Sequence, residues 1–326
     1  MILVEFIVFY NKLYNMNNKF KKFLRCLTDP KWAISAIITH YPKLIKNDEL
    51  YLKWDFYHGI GRWPEFAFEK EEKMSFNEKI NWLKIHYYNP LMTKLVDKYE
   101  VKEWVKEHCP NVKIIPTIGV WEQFDDIDFN ELPDKFVLKC THDSGGLVIC
   151  KDKSTFDVNA AKKKIEKSLK RDFSILHREL PYKDVPPRII AEEYMVDESG
   201  TQLKDYKYFC FNGEPRMVLI VSDRECDIRD DFFDMNFKHL PFKRGGAWAE
   251  NKKKPENFEK MIEYAKQLSR EFPFARVDFY NIKGSVYFGE ITFYPAAGVV
   301  PFDPEEWDYK IGKWLKLPVD YHSDMM

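Results

Sequence analysis

Apolar and polar positions along the chain follow two periods, and the change between them divides the sequence. From residue 17 to about 108 apolar positions recur at three and four, the spacing of helices with one buried stripe. In "SFNEKINWLK" Phe76, Ile80 and Leu83 fall at that spacing, and Ser75 followed three positions on by Glu78 makes a capping-box start. Pro90 ends that helix, and "LMTKLVDKYEVKEWVKEHCP" predicts another over 93–107, broken by Pro110. From about 111 the period becomes two. "KIIPTIGVW", "KFVLKC", "GLVICK" and "RIIAEEYM" are short β-branched runs bounded by Pro, Asp and Gly, so they read as strands. "DYKYFCFNGEPRMVLIVS" predicts a hairpin turning at Asn212-Gly213, the strongest short-range hairpin signal. Residues 158–170 predict a basic helix, and "ENFEKMIEYAKQLSREF" predicts one with Phe258, Met261, Ile262, Ala265, Leu268 and Phe272 on a single face. "FARVDFYNIKGSVYFGEITFYPAAG" predicts a last hairpin. Helices followed by strand-rich segments, with no regular βα alternation, give an α+β chain of antiparallel sheets.

Composition narrows the classes. With 45% apolar and 32% charged residues in 326, the chain suits a globular fold of about two domains. Lys plus Arg number 51 and Asp plus Glu 52, so no global basic field draws nucleic acid. The six cysteines, Cys26, Cys109, Cys140, Cys150, Cys210 and Cys226, form no C-x-x-C and no zinc spacing with histidine, which suits a reducing compartment. "MILVEFIVFY" is too short to span a bilayer and lacks the flanks of a signal peptide. Either Met1 or Met16 serves as a start. Residues 17–25, "NNKFKKFLR", interleave Lys19, Lys21, Lys22 and Arg25 with Phe20, Phe23 and Leu24, a pattern that suits a weak contact with an anionic membrane surface and equally a solvated helix start.

Candidate chemistry gathers at strand residues. Side chains two apart share a strand face, so Arg276 with Asp278, and Glu290 with Thr292, point together in pairs. If a five-residue loop or a bulge joins the strands, Asp278 pairs with Phe288 and Arg276 with Glu290, and all four share a face. Two carboxylates and a hydroxyl suit Mg²⁺, with phosphate oxygens filling its octahedron, and the Arg fork suits a phosphate. The same residues also suit a structural salt bridge. Lys139 ends the strand "KFVLK" just before "HDSGG", where Ser144, Gly145 and Gly146 offer backbone N–H groups to a phosphate, or simply make a turn. Glu192 and Glu193 end a strand, either surfacing into water or forming a linker that meets an adenine edge. Asp205 and Lys207 share a strand face, and Lys98 follows Asp97 on the predicted helix. Neither G-x-G-x-x-G after a strand nor G-x-x-x-x-G-K-[ST] occurs.

Taken in order, these stretches resemble an ATP-grasp enzyme, and in detail the chain is similar to the teichuronopeptide-biosynthesis (TupA-like) ATP-grasp family. "FNEKINWLK", "NPLMTKLVDKYEVKEWV", "FVLKCTHDSGG", "RVDFY" and "YFGEITFYPAAG" carry the resemblance, from about 40 to 318. It implies an ATP-grasp fold of two antiparallel lobes, 96–195 and 196–326, after a helical region at 1–95. It implies Lys98 and Lys139 as phosphate lysines, Ser144, Gly145 and Gly146 as the loop over the triphosphate, and Glu192, Glu193 and Met195 in the adenine linker. Asp205 takes the ribose side, Lys207 is a further phosphate cation, and Asp278 and Glu290 hold Mg²⁺. Thr292 stands where the general pattern has Asn. Arg276 and Lys207 then stabilise the reaction's charge.

The implied activity is an ATP- and Mg²⁺-dependent carboxylate–amine ligase acting through an acyl phosphate, which needs no side-chain nucleophile. By resemblance its substrates are a uronic-acid-type saccharide carboxylate and an amino acid or amine, in the making of surface polysaccharide. A kinase on the same scaffold and a glycosyltransferase, as family members are often labelled, are the alternatives; "DFFD" at 231–234 has the wrong spacing for D-x-D. Arg224, Arg229, Lys243 and Arg244, with Phe232, Phe242 and Trp248, suit a carboxylate and sugar rings or a surface insertion. The expected setting is cytoplasmic or peripheral at the inner membrane face. No oligomeric state follows.

Overall fold

A computed structural model describes residues 25–26, 28–197, 203–222, 229–245 and 253–319. Most of the proposed membrane-surface stretch, together with Arg224, Cys226 and Trp248, lies outside the described residues. The chain forms two compact units, 1–64 and 65–326. Among the described residues no helix is long and apolar enough to cross a membrane.

In the first unit, α1 (Pro30–His40) and α2 (Asp48–Ile60) pack on one another. Asp29 caps α1 by accepting from Trp32 N at 2.9 Å, and Asn47 caps α2 by accepting from Leu50 N at 2.7 Å. Trp32 stacks on His58 with ring centroids 4.9 Å apart. Gly61, at φ 93°, ends α2 in the left-handed conformation that glycine adopts without strain.

The second unit opens with α3 (Phe76–His86), α4 (Leu91–Val96) and α5 (Glu100–His108). Its strands make two sheets. Four strands, β2 (Thr117–Trp121), β5 (Ile189–Glu193), β3 (Phe136–Cys140) and β4 (Leu147–Cys150), run side by side in that order, all antiparallel. One face of this sheet, through Phe136, Leu138 and Cys140, builds a core with Ala161 and Ile165 of α6 (Val158–Leu169). The second sheet has the order β1 (Lys113–Ile114), β10 (Ser285–Thr292), β9 (Phe274–Ile282), β6 (Asp205–Phe211), β7 (Glu214–Ser222), β8 (Arg229–Asp234). There α7 (Phe258–Ser269) lies on β6, β7 and β9 with Phe258, Met261, Ala265 and Leu268 buried, close to the face its spacing predicts. The β6–β7 hairpin turns at Asn212-Gly213, both at positive φ (51° and 80°). Strand β1 pairs in parallel with β10, so a piece of chain before residue 195 belongs to the sheet formed by the later strands.

The first compact unit ends at residue 64, and the helices continue past residue 95 to His108. Helix α3 belongs to the second unit because its polar side chains are tied to the chain's far end. Asn77 N donates to Asp308 Oδ1 at 2.9 Å, Asn77 Nδ2 to Asp308 Oδ2 at 3.0 Å, and Lys79 Nζ to the Leu315 carbonyl at 2.6 Å. Asp308 lies on α8 (Glu306–Gly312). The Ser75–Glu78 capping box is present. Every residue from Phe76 to Lys84 is buried.

The helix predicted over 93–107 is two helices. Asp97 interrupts it because its carboxylate competes for backbone donors: Oδ1 accepts from Tyr99 N (2.8 Å) and Glu100 N (3.3 Å), which starts α5 afresh. Arg188 Nη2 takes Asp97 Oδ2 at 2.6 Å. Lys98 therefore stands in a break between helices, held by its own N–H to the Thr141 carbonyl at 3.2 Å.

Candidate active site

The β9–β10 hairpin turns at Lys283-Gly284, with φ 48° and 73°, so Asn281 and Ile282 are strand residues rather than loop. A two-residue turn alone gives an odd register, pairing Phe279 with Phe288. A bulge at Gly289 shifts it by one, so that Asp278 faces Glu290 and Arg276 faces Thr292. The predicted bulge and common face are present, but the predicted pairs Asp278–Phe288 and Arg276–Glu290 are displaced by two positions. Glycine suits that position, because a Cβ would approach the Asp278 carbonyl to 3.0 Å, a tight contact. On the other side of β9, Lys207 of β6 faces Asp278.

These neighbours form one charged cluster. Arg276 Nε binds Asp278 Oδ1 at 2.7 Å, and its Nη2 binds Asp278 Oδ2 at 2.8 Å and Glu290 Oε1 at 2.7 Å. Lys207 Nζ binds Asp278 Oδ2 and lies 3.3 Å from Asp205 Oδ1. Asp278 is buried, and burial pushes its carboxyl up against the pull of Arg276 and Lys207. Glu290 is 44% exposed. Its surroundings disfavour charge, yet Arg276, Lys207 and Lys98 outweigh that and hold it down at about 2. The ammonium of Lys98, which burial disfavours, is supported by the charges of Glu290 and Asp143.

Lys98 also reaches the loop after β3, because its Nζ donates to the Asp143 carbonyl. Asp143 is buried and takes the Ser168 hydroxyl. In that loop Ser144 and Gly145 are exposed, and Gly145 has φ 147°. Gly146 differs from the two: it is buried, its N–H donates to Asp143 Oδ1 at 3.2 Å, and a Cβ would meet Ser168 Oγ at 2.4 Å. Its glycine is needed for packing, so the N–H groups free to meet a ligand belong to the loop tip.

On the four-stranded sheet Lys139 faces Leu147 and Ile190, while Val137 faces Ile149 and Glu192. These residues share the face opposite the Phe136–Leu138–Cys140 core. Leu147 and Ile149 expose apolar side chains there, 39% and 46%. Glu192 is buried between two lysines, with Lys139 at 2.5 Å from Oε2 and Lys102 at 2.5 Å from Oε1. Burial resists its charge, but Lys139 and Lys102 hold the carboxyl below its ordinary range. A charged lysine beside an exposed apolar wall suits a flat heteroaromatic base with phosphates attached.

The family model described as TupA-like ATPgrasp matches residues 78–316, most of the chain. The chain belongs to the TupA-like ATP-grasp family. Membership places it among ATP-grasp enzymes and gives it the ATP-grasp fold that the two sheets and their loop express. Comparison with curated proteins gives no match. Among solved structures, D-alanine–D-alanine ligase from Helicobacter pylori is similar at 15% identity and TM-score 0.39, covering 75% of this chain and 68% of its own. D-alanine–D-alanine ligase from Bacillus anthracis complexed with ATP is similar at 16% and 0.35, covering 61% and 53%. N5-carboxyaminoimidazole synthase from Aspergillus clavatus, in complex with ADP and 5-aminoimidazole ribonucleotide, is similar at 11% and 0.39, covering 68% and 51%. The chain thus spans about half to two thirds of the length of these solved chains.

The TupA-like chain fits a divalent cation at Asp278 and Glu290. These hard oxygen donors face one another across two strands, already gathered by a single guanidinium. Among the described residues no cluster of three or more His, Cys, Asp or Glu side chains forms a protein-only cage, and Mg²⁺ needs none when phosphate oxygens complete its shell. Thr292, half-buried opposite Arg276, lies on the same face. Met195 follows β5 in a stretch without regular secondary structure, half-buried, and Glu193 is exposed.

Of the expected substrate residues, Arg244 has another task. Its Nη2 donates to Asn77 Oδ1 (3.0 Å) and the Pro295 carbonyl (3.2 Å), and its guanidinium lies 4.7 Å from the Phe302 ring centroid. Burial lowers it to about 10. Arg244 is a structural clamp, because the carbonyls and rings around it use its donors. Lys243 bridges Asp303 through its backbone, and Arg229 opens β8 opposite Ser222.

This clamp fixes the turn that follows the carboxylate strand. Ala296, Ala297 and Gly298 all have φ between 50° and 61°, and Lys84 Nζ and Asn81 Nδ2 each donate to a carbonyl of that turn at 2.8 Å. Asn77→Ala removes the side-chain bonds to Asp308 Oδ2 and the Val300 carbonyl and the acceptor for Arg244, while the backbone bond to Asp308 Oδ1 stays. It is expected to cost about 2–3 kcal/mol, read as a lowered Tm. A Tm equal to the native value would show the turn to be held elsewhere.

The sequence reading missed Lys102, Leu147, Ile149 and Tyr182. Burial raises the Tyr182 hydroxyl strongly, helped by the charges of Glu179 and Glu290 and opposed by Arg276. It follows two strained residues, His177 and Arg178, at φ 54° and 55°. The signal was present in "HRELPYKDVPP", a proline-punctuated insertion too long for a simple connection.

Proposed function

We propose that the chain is an ATP- and Mg²⁺-dependent carboxylate–amine ligase. The observation that carries this reading is the facing pair Asp278 and Glu290, tied by Arg276 beside Lys207 and within the field of Lys98. The metal ion, when bound, neutralises phosphate charge. In the proposed reaction an oxygen of the substrate carboxylate bonds to the γ-phosphorus as the bond to ADP breaks. The amine nitrogen then bonds to the acyl carbon, phosphate leaves, and the nitrogen loses a proton. Lys98, Lys139 and Lys207 bind phosphate oxygens, and Arg276 steadies the charge of the transferring group. Ser144 and Gly145 at the loop tip cover the phosphates and keep water from the activated acyl group. Glu192 and the stretch to Met195, with Leu147 and Ile149, receive the base, and Asp205 the ribose.

For substrates, family membership supports a uronic-acid-type carboxylate and an amino acid or amine, joined in surface-polysaccharide assembly. Arg229 and Lys243 are the described cations nominated for the carboxylate; Arg244 is withdrawn from that role. The setting proposed is cytoplasmic, with any membrane contact peripheral. The test is ADP release across uronic acids paired with amino acids. Release that requires both partners supports the ligase. Release with a carboxylate or sugar alone, and a stable phosphorylated product, would replace it with a kinase.

A further inference from the structure

We propose that Lys102 is a positioning residue of the nucleotide site, holding Glu192 as an anion so that Lys139 can leave it for a nucleotide phosphate. The inference rests on the nucleotide-site reading above and adds a residue and an exchange that the reading lacks.

The two lysines on Glu192 are unequal. Lys102 Nζ spends its three donors on fixed acceptors: Glu192 Oε1 at 2.5 Å, Thr117 Oγ1 at 2.6 Å and the Ile115 carbonyl at 3.0 Å. Its side chain is 11% exposed and leaves helix α5 toward β2, whose Thr117 is the register partner of Glu192. Lys139 has Glu192 as its partner among the described residues, and its side chain is 24% exposed. Lys102 is held by three acceptors, and Lys139 is held by one with more of its side chain exposed. Lys139 and Lys98 also repel one another, which disfavours keeping both ammoniums together with no anion between them.

A triphosphate arriving at Lys98 and Lys139 supplies that anion. If Lys139 were the sole partner of Glu192, its departure would strand a carboxylate that is 6% exposed, a strongly unfavourable step. With Lys102 in place, Glu192 keeps one charged partner throughout. Lys102 therefore acts on the nucleotide through Glu192 and Lys139, without touching it. Its spacing of four from Lys98, with α5 beginning at Glu100, makes the two lysines diverge: one faces the loop carbonyl of Asp143, the other the strand edge.

The experiment compares the native chain with Lys102→Met, Glu192→Gln and the double variant. It measures Mg²⁺-ATP binding by calorimetry and, without nucleotide, labelling of Lys139 by an amine-reactive acylating reagent. Lys102→Met is expected to weaken Mg²⁺-ATP binding by about tenfold or more and to lower Lys139 labelling, because Lys139 is trapped on Glu192. Adding Glu192→Gln is expected to return binding to within about threefold of Glu192→Gln alone, since no buried anion is left to strand. A purely structural Lys102 would give no such rescue.

Native-like binding by Lys102→Met, or a double variant weaker than Glu192→Gln alone by as much as Lys102→Met is weaker than the native chain, would overturn the proposal. If Lys102→Met does not fold, Glu192→Gln alone decides: several-fold greater Lys139 labelling supports the exchange, and unchanged labelling overturns it. Should the native chain bind no Mg²⁺-ATP while the labelling differences hold, the ligase reading is what fails, and the proposed role of the exchange in nucleotide binding is overturned with it.

Discussion

Asp278→Asn is expected to lower ATP turnover by about 10²–10³-fold or more, the loss seen when one preorganised electrostatic group is removed from a reacting phosphate or acyl centre. Glu290→Gln is expected to do the same. The amides keep the shape and one acceptor oxygen, so Arg276 retains partners and the sheet should stay folded. Their stability effects should differ, because Asp278 is buried under Arg276 and Lys207 whereas Glu290 is partly exposed. Glu290→Gln is thus the cleaner variant. Its pH behaviour separates it further. The folded carboxyl sits at about 2, below the ordinary glutamate value. Its stabilising contribution is therefore present in full above the ordinary value and lost as pH falls toward 2. Native and Glu290→Gln stabilities should converge across that acid window. Native-level turnover in either variant, measured with saturating Mg²⁺, would remove the metal assignment.

The carboxylate pair was legible because strand periodicity fixes faces without coordinates. Arg276 with Asp278, and Glu290 with Thr292, had to point together, and Gly289 between Phe288 and Glu290 was a visible cue for a bulge. The exact partners were not legible, because the register depends on where the turn closes: "NIKG" offers a four-residue loop or, as found, two residues at Lys283-Gly284. The break at Asp97 escaped helical periodicity because the apolar spacing runs on through it, while a single carboxylate captures two backbone donors. Helix α3 escaped for the opposite reason. Its apolar positions predict one buried stripe, yet Asn77, Asn81 and Lys84 are buried as well, since partners more than 200 residues away satisfy them. Arg244 looked like a substrate fork on composition alone, and only the packing of Phe302 and the Pro295 carbonyl shows its donors engaged. Glu192 was assigned from its place after an apolar strand, but pattern reading cannot tell that two lysines from different elements converge on it.

Arg276→Met tests the cluster from its centre. The guanidinium makes a two-pronged contact to Asp278 and a third bond to Glu290 while 14% exposed. Without it two facing carboxylates remain, with Lys207 and Lys98 as the nearby cations. Removing one partner of a buried ion pair leaves the other uncompensated, so the expected destabilisation is about 3–5 kcal/mol. Turnover should fall at least as far as in Asp278→Asn. The defect is a surplus of negative charge, which fixes two further signs. Protonation relieves it, so the stability gap to the native chain should narrow as pH falls from neutrality toward 4. A divalent cation relieves it too, so Mg²⁺ without nucleotide should raise the Tm of Arg276→Met more than that of the native chain. Arg276→Lys should fall between the two, because a point charge cannot grip Asp278 with two prongs and reach Glu290 together. A gap that is flat with pH and indifferent to Mg²⁺ would mean that Arg276 supports the sheet by packing, and that the two carboxylates do not form a charge site.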